Sequence, residues 1–481
     1  MPCRRWPWVS RATGSLRGGS LAIPKRSLQG EWSGPLAFVF ALAGVSIGLG
    51  NVWRFPALAA EHGGGAFLLV YGGFLATLTL PLWLAEIGIG RSMRRTLPDG
   101  LGRLAREQGS SRAWRGMGWL AVIAAAGLLV AQILLGGWVG AYLYQVSADA
   151  ALSFDAVTTA AMFSDLLASP ERWLLWCTLA IAAAALVVGR GIAGGIQPLM
   201  RVLVPGLLTA LLGLAVWATE NLGGGAAWGP VFEIRLHALG WNGVQAAAEH
   251  ALFSVAVAVG VAAAFGAALP DRWPTVSTAG AALAVDTLFG LVAAVFVFSL
   301  LAPHGGDATV SGPVLAFHAM PESMAALPGG RQALQVFYLV LFVAALTTIV
   351  GLLEVVVGAV VEQGRVTRVQ ATVLVASTLW LGAVLLVATV PGWVEHGLTA
   401  AQPGGGLSVS WLLQLGAWTL IPAIALGLLL FVGWLVPGET LRGALRLRED
   451  WRYRSCLPVL RYVAPLILLV LLARVAGVSL T

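Results

Sequence analysis

The chain has 481 residues, of which 58% are hydrophobic and only 11% are charged. A water-soluble globular protein does not need this much apolar sequence, so the composition indicates a membrane protein with many spans. The formal net charge of +7 comes from basic residues that are distributed among loops by membrane topology, and it therefore predicts no nucleic-acid partner.

Segment length and hydropathy predict about eleven spans across a lipid bilayer. Their approximate bounds are 35–57, 66–90, 117–146, 171–189, 196–219, 241–268, 275–302, 332–361, 369–390, 407–436 and 457–476. Basic residues are concentrated before the first span, between the second and third spans, and before the last span, whereas acidic residues predominate in the opposite loops. The positive-inside rule therefore predicts a cytoplasmic N-terminus, and an odd number of spans predicts an extracellular C-terminus.

Two further features of the chain limit its processing and its chemistry. The polar N-terminal tail lacks the apolar core of a signal peptide, so we expect no cleavage. The three cysteines form neither a disulfide framework nor a metal-binding pattern, and no phosphate loop or nucleophile motif is present. We therefore do not expect an enzyme.

The first predicted span contains an unusual stretch, which runs from Gly44 to Pro56 and reads Gly-Val-Ser-Ile-Gly-Leu-Gly-Asn-Val-Trp-Arg-Phe-Pro. Gly48 and Gly50 weaken a helix, and Asn51 and Arg54 are costly at membrane depth unless they face a wet cavity or a ligand. The stretch predicts a broken helix whose free backbone groups face a binding site. The alternative is a glycine-kinked span in which Arg54 reaches the membrane surface.

The same stretch and the second span carry a family pattern, formed by Gly48–Asn51, Arg54–Pro56, Gly63–Phe67, Pro81 and Glu86–Arg91. This pattern resembles the neurotransmitter:sodium symporter family, in its bacterial amino-acid transporter type. The resemblance implies an all-α membrane protein with an inverted-repeat 5+5 transporter fold, broken first and sixth helices, and an eleventh helix. It divides the chain into a cytoplasmic tail (1–33), a first half (34–219), an inverted second half (220–436), and a cytoplasmic loop with the eleventh span (437–481).

The resemblance also implies two Na⁺ sites. The first would use the Ser46 carbonyl, Asn51, Ser254, Asp286 and the carboxylate of the substrate. The second would use the carbonyls of Gly44, Ile47 and Ala344 with the hydroxyls of Thr347 and Thr348. Oxygen ligands suit a hard cation, although threonine in a membrane helix commonly bonds only the carbonyl one turn back.

Asp286 is a lone acid in the apolar seventh span, which makes it a functional candidate by default. It occupies a position where many family members have an asparagine that binds sodium. Its charge could replace the chloride of animal members, so chloride should not be required. Gly290 stands where chloride-independent bacterial relatives often have a glutamate.

The resemblance places the substrate among Gly48, Leu49, Gly50, Leu128, Gln132, Phe253, Ala256, Val259, Thr348 and Leu352. Family members that carry amines without a carboxylate have an aspartate at the position of Gly48. This glycine, and the absence of charge from the list, therefore predict a neutral, hydrophobic L-amino acid. Gln132 departs from the family tyrosine that bonds the substrate carboxylate, and it could instead make a polar contact between helices.

The sixth span should mirror the first, but Ala256 and Ala258 replace the residues at which the family helix usually breaks. Alanine is the best helix former, which leaves Gly260 as the backbone weak point. In the second span, Glu86 is expected near the broken first helix, where it would bond free backbone amides. A proton relay through Glu86 is the alternative.

Four residues match gate positions of the family. Arg54 and Gln414 would form the outer gate, although Gln414 offers only a neutral hydrogen bond where the family has an aspartate. Trp32 and Glu362 would belong to the cytoplasmic gate, with Arg26 as a substitute for the family arginine that Gln29 replaces. Trp32 could also be an aromatic anchor at the membrane interface.

These observations together predict a sodium-coupled transporter in the cytoplasmic membrane of a prokaryote, present as a monomer or weak homodimer. The departures at Gln132, Ala256, Ala258 and Gln414 leave open a family member that binds an amino acid as a sensor or scaffold. Coupling to protons or exchange through Asp286 or Glu86 is a further alternative.

Overall fold

The computed structural model describes residues 30–148, 154–222, 228–301, 312–388, 419–445 and 457–475, and these residues are almost entirely helical. Within them, 7 helices are long and apolar enough to cross a membrane, and up to 9 if each of two bent helix pairs is one span. A single isolated β-bridge joins Gly64 to Ile234. The predicted all-α membrane fold is confirmed.

The helices of the first half follow the predicted spans closely. Their bounds, in chain order, are Pro35–Ser46 with Leu49–Glu61 for the first span, Gly65–Met93 for the second, Trp114–Ala148 for the third, Pro170–Gly189 for the fourth and Ile192–Leu222 for the fifth. Shorter helices at Leu97–Glu107 and Ala156–Ala168 lie between them.

The second half repeats the arrangement. Its bounds are Leu236–Phe253 with Val261–Ala267 for the sixth span, Thr275–Leu301 for the seventh, Gly330–Val361 for the eighth, Arg368–Ala388 for the ninth, Ile421–Leu435 for the tenth, and Val459–Val463 with Ala464–Val475 for the eleventh. Short helices at Trp228–Phe232, Gly312–Val314, Met320–Ala325 and Gly438–Leu445 connect them. The predicted start of the tenth span lies outside the described residues.

The broken spans lie in the interior of the bundle. The helix Pro35–Ser46 packs against the fifth, seventh and eighth spans, and nearly all of its side chains from Ala37 onward are buried. By contrast, the second, fourth and ninth spans expose large apolar side chains such as Leu69, Leu186 and Val373. This distribution is expected of helices that face lipid on one side and protein on the other.

Glycines bring the second span into backbone contact with the second helix of the sixth span. A Cβ atom at Gly90 would overlap the carbonyl oxygen of Ala263, and one at Gly266 would lie 2.9 Å from the Cα atom of Ile87. Only glycine permits so close an approach. The helix Val261–Ala267 is therefore held closely against the second span.

Candidate functional site

The first span is interrupted at Ile47 and Gly48, as predicted. The helix that ends at Ser46 and the helix that begins at Leu49 differ in direction by 63°. Both intervening residues have extended backbone, with ψ angles of 94° at Ile47 and −179° at Gly48. Because the last carbonyls of a helix have no partner within it, the interruption makes backbone oxygens available beside the break.

The sixth span is interrupted over Ser254–Gly260, between the helices that end at Phe253 and begin at Val261. Ala256, Ala258 and Gly260 have φ angles of 49°, 63° and 89°. The break is confirmed, but the expectation that alanine leaves Gly260 as the weak point is wrong, since two alanines are themselves left-handed. Each left-handed alanine costs about 1–2 kcal/mol, which tertiary contacts have to offset.

Glu86 supplies one of those contacts. Its Oε1 atom accepts a 2.5 Å hydrogen bond from the backbone nitrogen of Ala258, and its side chain is fully buried. The predicted role, bonding of free backbone amides, therefore fits, but the break is the sixth rather than the first. The physical reason is that left-handed backbone turns the Ala258 amide away from helical partners and towards the second span.

The residues of the predicted first sodium site lie together beside both breaks. Asn51 Nδ2 donates a 2.8 Å hydrogen bond to Asp286 Oδ1. Among the described residues, the buried atoms Ser254 Oγ and Asp286 Oδ2 have no hydrogen-bond partner. Buried oxygens without partners are costly, and a cation coordinated by them would remove that cost. This set of donors fits Na⁺.

The residues of the predicted second sodium site also meet. The Thr348 hydroxyl donates to the carbonyl of Val45 at 3.2 Å and to that of Ala344 at 3.1 Å, and the Thr347 hydroxyl donates to Ala344 at 2.9 Å. The ordinary bond to a carbonyl in the preceding turn is thus present. Because that bond uses only the hydroxyl proton, the oxygen lone pairs remain able to bind a cation.

Glycines allow the first break to approach the eighth span. A Cβ atom at Gly48 would lie 3.7 Å from both Thr348 Oγ1 and the Ser46 carbonyl oxygen, and one at Gly44 would lie 3.8 Å from Thr347 Cβ. Gly44 and Gly48 therefore lie next to the two threonines.

The predicted apolar wall of the substrate site consists largely of buried residues. Leu49, Leu128, Val259 and Leu352 belong to one buried apolar core, against which Phe253 and Ala256 pack. Gly50 has open space beside its Cα atom. Gln132 keeps a buried Oε1 atom that has no hydrogen-bond partner within the described part of the chain, so the predicted contact between helices is not made through this oxygen.

Arg54 has a carboxylate partner that the sequence analysis did not identify. Its Nη2 atom lies 3.9 Å from Oε2 of Glu249 in the sixth span, whereas the predicted partner Gln414 lies outside the described residues. Arg54 thus has an acidic neighbour in the sixth span, and its pairing with Gln414 stays a prediction. Glu249 could have been identified from the sequence, because it is an acidic residue in an apolar span and directly precedes His250.

Tyr71 is a second residue that the sequence analysis missed. Its hydroxyl faces Ser254, Thr287 and Asp286, and its ring lies 5.5 Å from the ring of His250 between centroids. The sequence does carry a signal for Tyr71, because a polar hydroxyl stands there in an apolar span whose neighbours, such as Phe67 and Val70, are purely apolar.

The ring of Phe55 packs closely against Gly290, one turn after Asp286 in the seventh span. A Cβ atom at Gly290 would lie 3.3 Å from the ring of Phe55. A side chain there would require a shift of a few tenths of an ångström in that ring, which stacks on His250 with centroids 5.3 Å apart. The carboxylate of Asp286 is placed one turn earlier in the same span.

Trp32 is buried within the protein, with 1% of its surface exposed, so its role as an anchor at the membrane interface is excluded. Its Nε1 atom donates a 2.9 Å hydrogen bond to the carbonyl of Phe265, and its backbone nitrogen donates to that of Ala268 at 3.2 Å. The start of the first span is thus tied to the end of the sixth.

Glu362 follows the end of the eighth span and bonds Thr96. Its Oε1 accepts from the Thr96 backbone nitrogen at 2.8 Å and its Oε2 from the Thr96 hydroxyl at 2.6 Å. Residues 26 and 29 lie outside the described residues. Burial raises the pKa of Glu362 to about 7, against the lowering effect of the bonds from Thr96. Glu362 therefore fastens the helix Leu97–Glu107 to the eighth span.

Two interrupted helices whose breaks face buried oxygen atoms, inside a bundle of membrane helices, define a membrane transport protein of the broken-helix class. The family model of the sodium:neurotransmitter symporter family matches residues 29–165 and 167–472. The chain belongs to this family, which is a family of transporters.

Two bacterial relatives and a solved structure match this chain over 69–92% of its length. An uncharacterized sodium-dependent transporter of Haemophilus influenzae is 26% identical over 92% of this chain and 96% of its own length. The uncharacterized sodium-dependent transporter YhdH of Bacillus subtilis is 27% identical over 69% of this chain and 72% of its own. The crystal structure of MhsT in complex with L-phenylalanine superposes with a TM-score of 0.80 at 26% identity, covering 92% of this chain and 98% of MhsT.

Proposed function

We propose that this chain is a sodium-coupled secondary transporter that imports a neutral, hydrophobic L-amino acid by alternating access. The observation that carries the proposal is the oxygen-rich surrounding of the first break. The side-chain amide of Asn51 donates a hydrogen bond to the carboxylate of Asp286, and the Thr348 hydroxyl donates one to the carbonyl of Val45 in the interrupted span. These contacts support a pair of sodium sites beside a substrate.

Sodium would act through two sets of oxygen ligands. The first consists of the Ser46 carbonyl, Asn51, Ser254 and Asp286, completed by the substrate carboxylate. The second consists of the carbonyls of Gly44, Ile47 and Ala344 and the hydroxyls of Thr347 and Thr348. Because the substrate would complete the first site, sodium and substrate would increase each other's affinity by the same factor.

The substrate class follows from the chemistry of the lining. Gly48 contributes no charge of its own, so a substrate that brings its own carboxylate would meet no competing acid at this position. Leu49, Leu128, Val259 and Leu352 are buried and uncharged, and a charged substrate side chain among them would lose its hydration without compensation. A complex with L-phenylalanine in the similar protein MhsT supports the same class.

The relatives and the sequence also support a proposal for the membrane and the orientation of the protein. Bacterial relatives and the distribution of basic residues favour the cytoplasmic membrane of a prokaryote, with the N-terminus in the cytoplasm and the C-terminus outside. Asp286 places a carboxyl group near the first site, and its charge would replace that of chloride, so transport should proceed without chloride. We expect a monomer or a weak homodimer.

Uptake by proteoliposomes tests the proposal. With an inward sodium gradient, radiolabelled leucine, phenylalanine, tyrosine or tryptophan should accumulate, and replacement of sodium by potassium should abolish accumulation. Replacement of chloride by gluconate should have no effect. Preference for a charged amino acid, or uptake that is indifferent to sodium, would contradict the proposal.

The buried acids motivate one alternative, coupling to protons or exchange. Within the described residues, Glu86 Oε2 and Asp286 Oδ2 are buried without hydrogen-bond partners, so these two acids are the candidates to carry a coupling proton. A pH gradient that drives uptake in the absence of sodium would favour this alternative. Amino-acid binding without any uptake would instead favour a sensor or scaffold.

A further inference from the structure

Glu249 is approached by two arginines from different parts of the chain. Its Oε2 lies 3.9 Å from Arg54 Nη2, and its Oε1 lies 4.0 Å from Arg474 Nη1 in the eleventh span. Arg474 Nη1 also donates to Oε1 of Gln245, one helical turn before Glu249. The eleventh span is thus attached to the same helix, and to the same carboxylate, as the arginine of the first break.

The pair of Arg54 and Glu249 joins the two interrupted spans at one end. Arg54 directly follows the helix Leu49–Trp53, and Glu249 lies one turn before Phe253, where the sixth span unwinds. The other end of the sixth span is held by Arg94, which donates to the carbonyls of Ala267 and Leu269. Glu249 therefore lies at the end of the site that is remote from the arginine-rich loop.

The distances show that neither arginine holds the carboxylate in a direct hydrogen bond. Charge-assisted hydrogen bonds between guanidinium and carboxylate groups are about 2.7–2.9 Å long, and the strongest are bidentate. A single carboxylate cannot form a bidentate pair with both arginines at once. Arg54 faces Oε2 and Arg474 faces Oε1, so a bidentate pair with either arginine would exclude the other. The side chain of Glu249 is 18% exposed and that of Arg474 is 49% exposed.

We propose that Arg474 is a positioning residue for transport. By drawing Glu249 towards the eleventh span, it weakens the contact between Glu249 and Arg54 and so keeps the remote end of the site able to open. This proposal rests on the proposed transport function only where it predicts a change in the uptake rate. The competition itself concerns the access of solvent to the site and can be measured without transport.

The first experiment measures access directly. Ser254→Cys, in a background where Cys3, Cys177 and Cys456 are replaced by Ser, is treated on intact cells with a membrane-impermeant thiosulfonate. Addition of Arg474→Ala should slow modification at least about fivefold, because Glu249 is then free to pair with Arg54. Arg474→Lys, which keeps the charge but not the planar fork, should have a smaller effect.

A double-mutant cycle separates competition from a structural role. In a Glu249→Gln background the Arg474→Ala substitution should no longer change the modification rate, because no carboxylate remains to be shared. Arg461→Ala, in the same span, removes the hydrogen bond to the Gly433 carbonyl and serves as the matched control, with an unchanged rate. An unchanged rate in Arg474→Ala, or an equal change with and without Glu249, would overturn the proposal.

Uptake kinetics complete the test. Arg474→Ala should lower the maximal uptake rate about fivefold while KM falls or stays constant, since an over-stabilised closed end slows turnover rather than binding. If the parent protein shows no sodium-driven uptake, the proposed function fails, and the thiol modification rates still decide whether Arg474 and Arg54 compete.

Discussion

Asn51 in the first span donates its side-chain amide to Asp286 in the seventh, with a distance of 2.8 Å between Nδ2 and Oδ1. This bond lies at the point where the first span resumes its helix after the break. It leaves Asp286 Oδ2 buried and without a hydrogen-bond partner in the described part of the chain.

Replacement of Asp286 tests the first sodium site. Asp286→Asn keeps the size of the side chain and can still bond Asn51, but it removes the negative charge that would face the cation. We expect the apparent affinity for sodium, measured from the sodium dependence of uptake, to fall about 10–100-fold. Asp165→Asn, at an exposed aspartate, is the control. Equal sodium dependence in the two variants would exclude Asp286 as a ligand.

Thr348 tests the second site. Thr348→Ala removes a hydroxyl that bonds Val45 in the interrupted span and, by our proposal, a sodium ligand. Sodium affinity should fall about tenfold or more, because a five-ligand site loses one oxygen. The matched control is Thr378→Ala, which removes an exposed hydroxyl bonded only within the ninth span, to the Leu374 carbonyl. That control should leave both affinity and thermal stability nearly unchanged.

The left-handed alanines make an unusual stability prediction. Ala258→Gly should stabilise the protein by about 0.5–1 kcal/mol, since glycine adopts a φ of 63° without the strain imposed by a Cβ atom. Ala262→Gly, four residues later inside a helix, should destabilise it by about 1 kcal/mol. Melting temperatures in detergent would compare the two. Shifts of the same sign would show that the backbone at Ala258 is not strained.

The pH dependence of stability tests Glu362. Its pKa is raised from an ordinary 4.5 to about 7 by burial, so the folded protein binds a proton there more tightly than the unfolded chain. This contribution to the free energy of unfolding is complete below pH 4.5 and is lost as the pH rises to 7.

Glu362→Gln cannot ionise and should remove that dependence. At pH 8 the variant should have the higher melting temperature, and its free energy of unfolding should exceed that of the parent by an amount on the order of 1–3 kcal/mol. This difference should shrink towards pH 5. Glu107→Gln, at an exposed glutamate, provides the control profile. A difference that grows as the pH falls would have the wrong sign for a raised pKa.

Much of the fold could be read from the sequence because apolar length and glycine placement are local signals. The first break was predictable from Gly48, Asn51 and Arg54, since each is unfavourable in a continuous membrane helix. The extent of the break in the sixth span was not predictable. It depends on a hydrogen bond from Ala258 to Glu86, and helix propensities do not account for such contacts between spans. Tertiary contact here overrides the preference of alanine for a helix.

The candidate site divides in the same way. Asn51, Ser254 and Asp286 could be grouped because a family pattern related distant positions to one another. Glu249, Arg474 and Tyr71 escaped that grouping, because their importance lies in contacts among spans that the pattern does not describe. Glu249 shows this most clearly, since its two arginines are far apart in the chain.

The backbone contact made by Gly90 and Gly266 limits how the protein can change shape. Since main-chain atoms rather than adaptable side chains meet there, the second span cannot slide or roll against the helix Val261–Ala267 without overlap. These two elements have to tilt as one rigid body. The unwound segment Ser254–Gly260 would then be the hinge of this movement. A ligand bound at Ser254 would therefore also make the hinge stiffer.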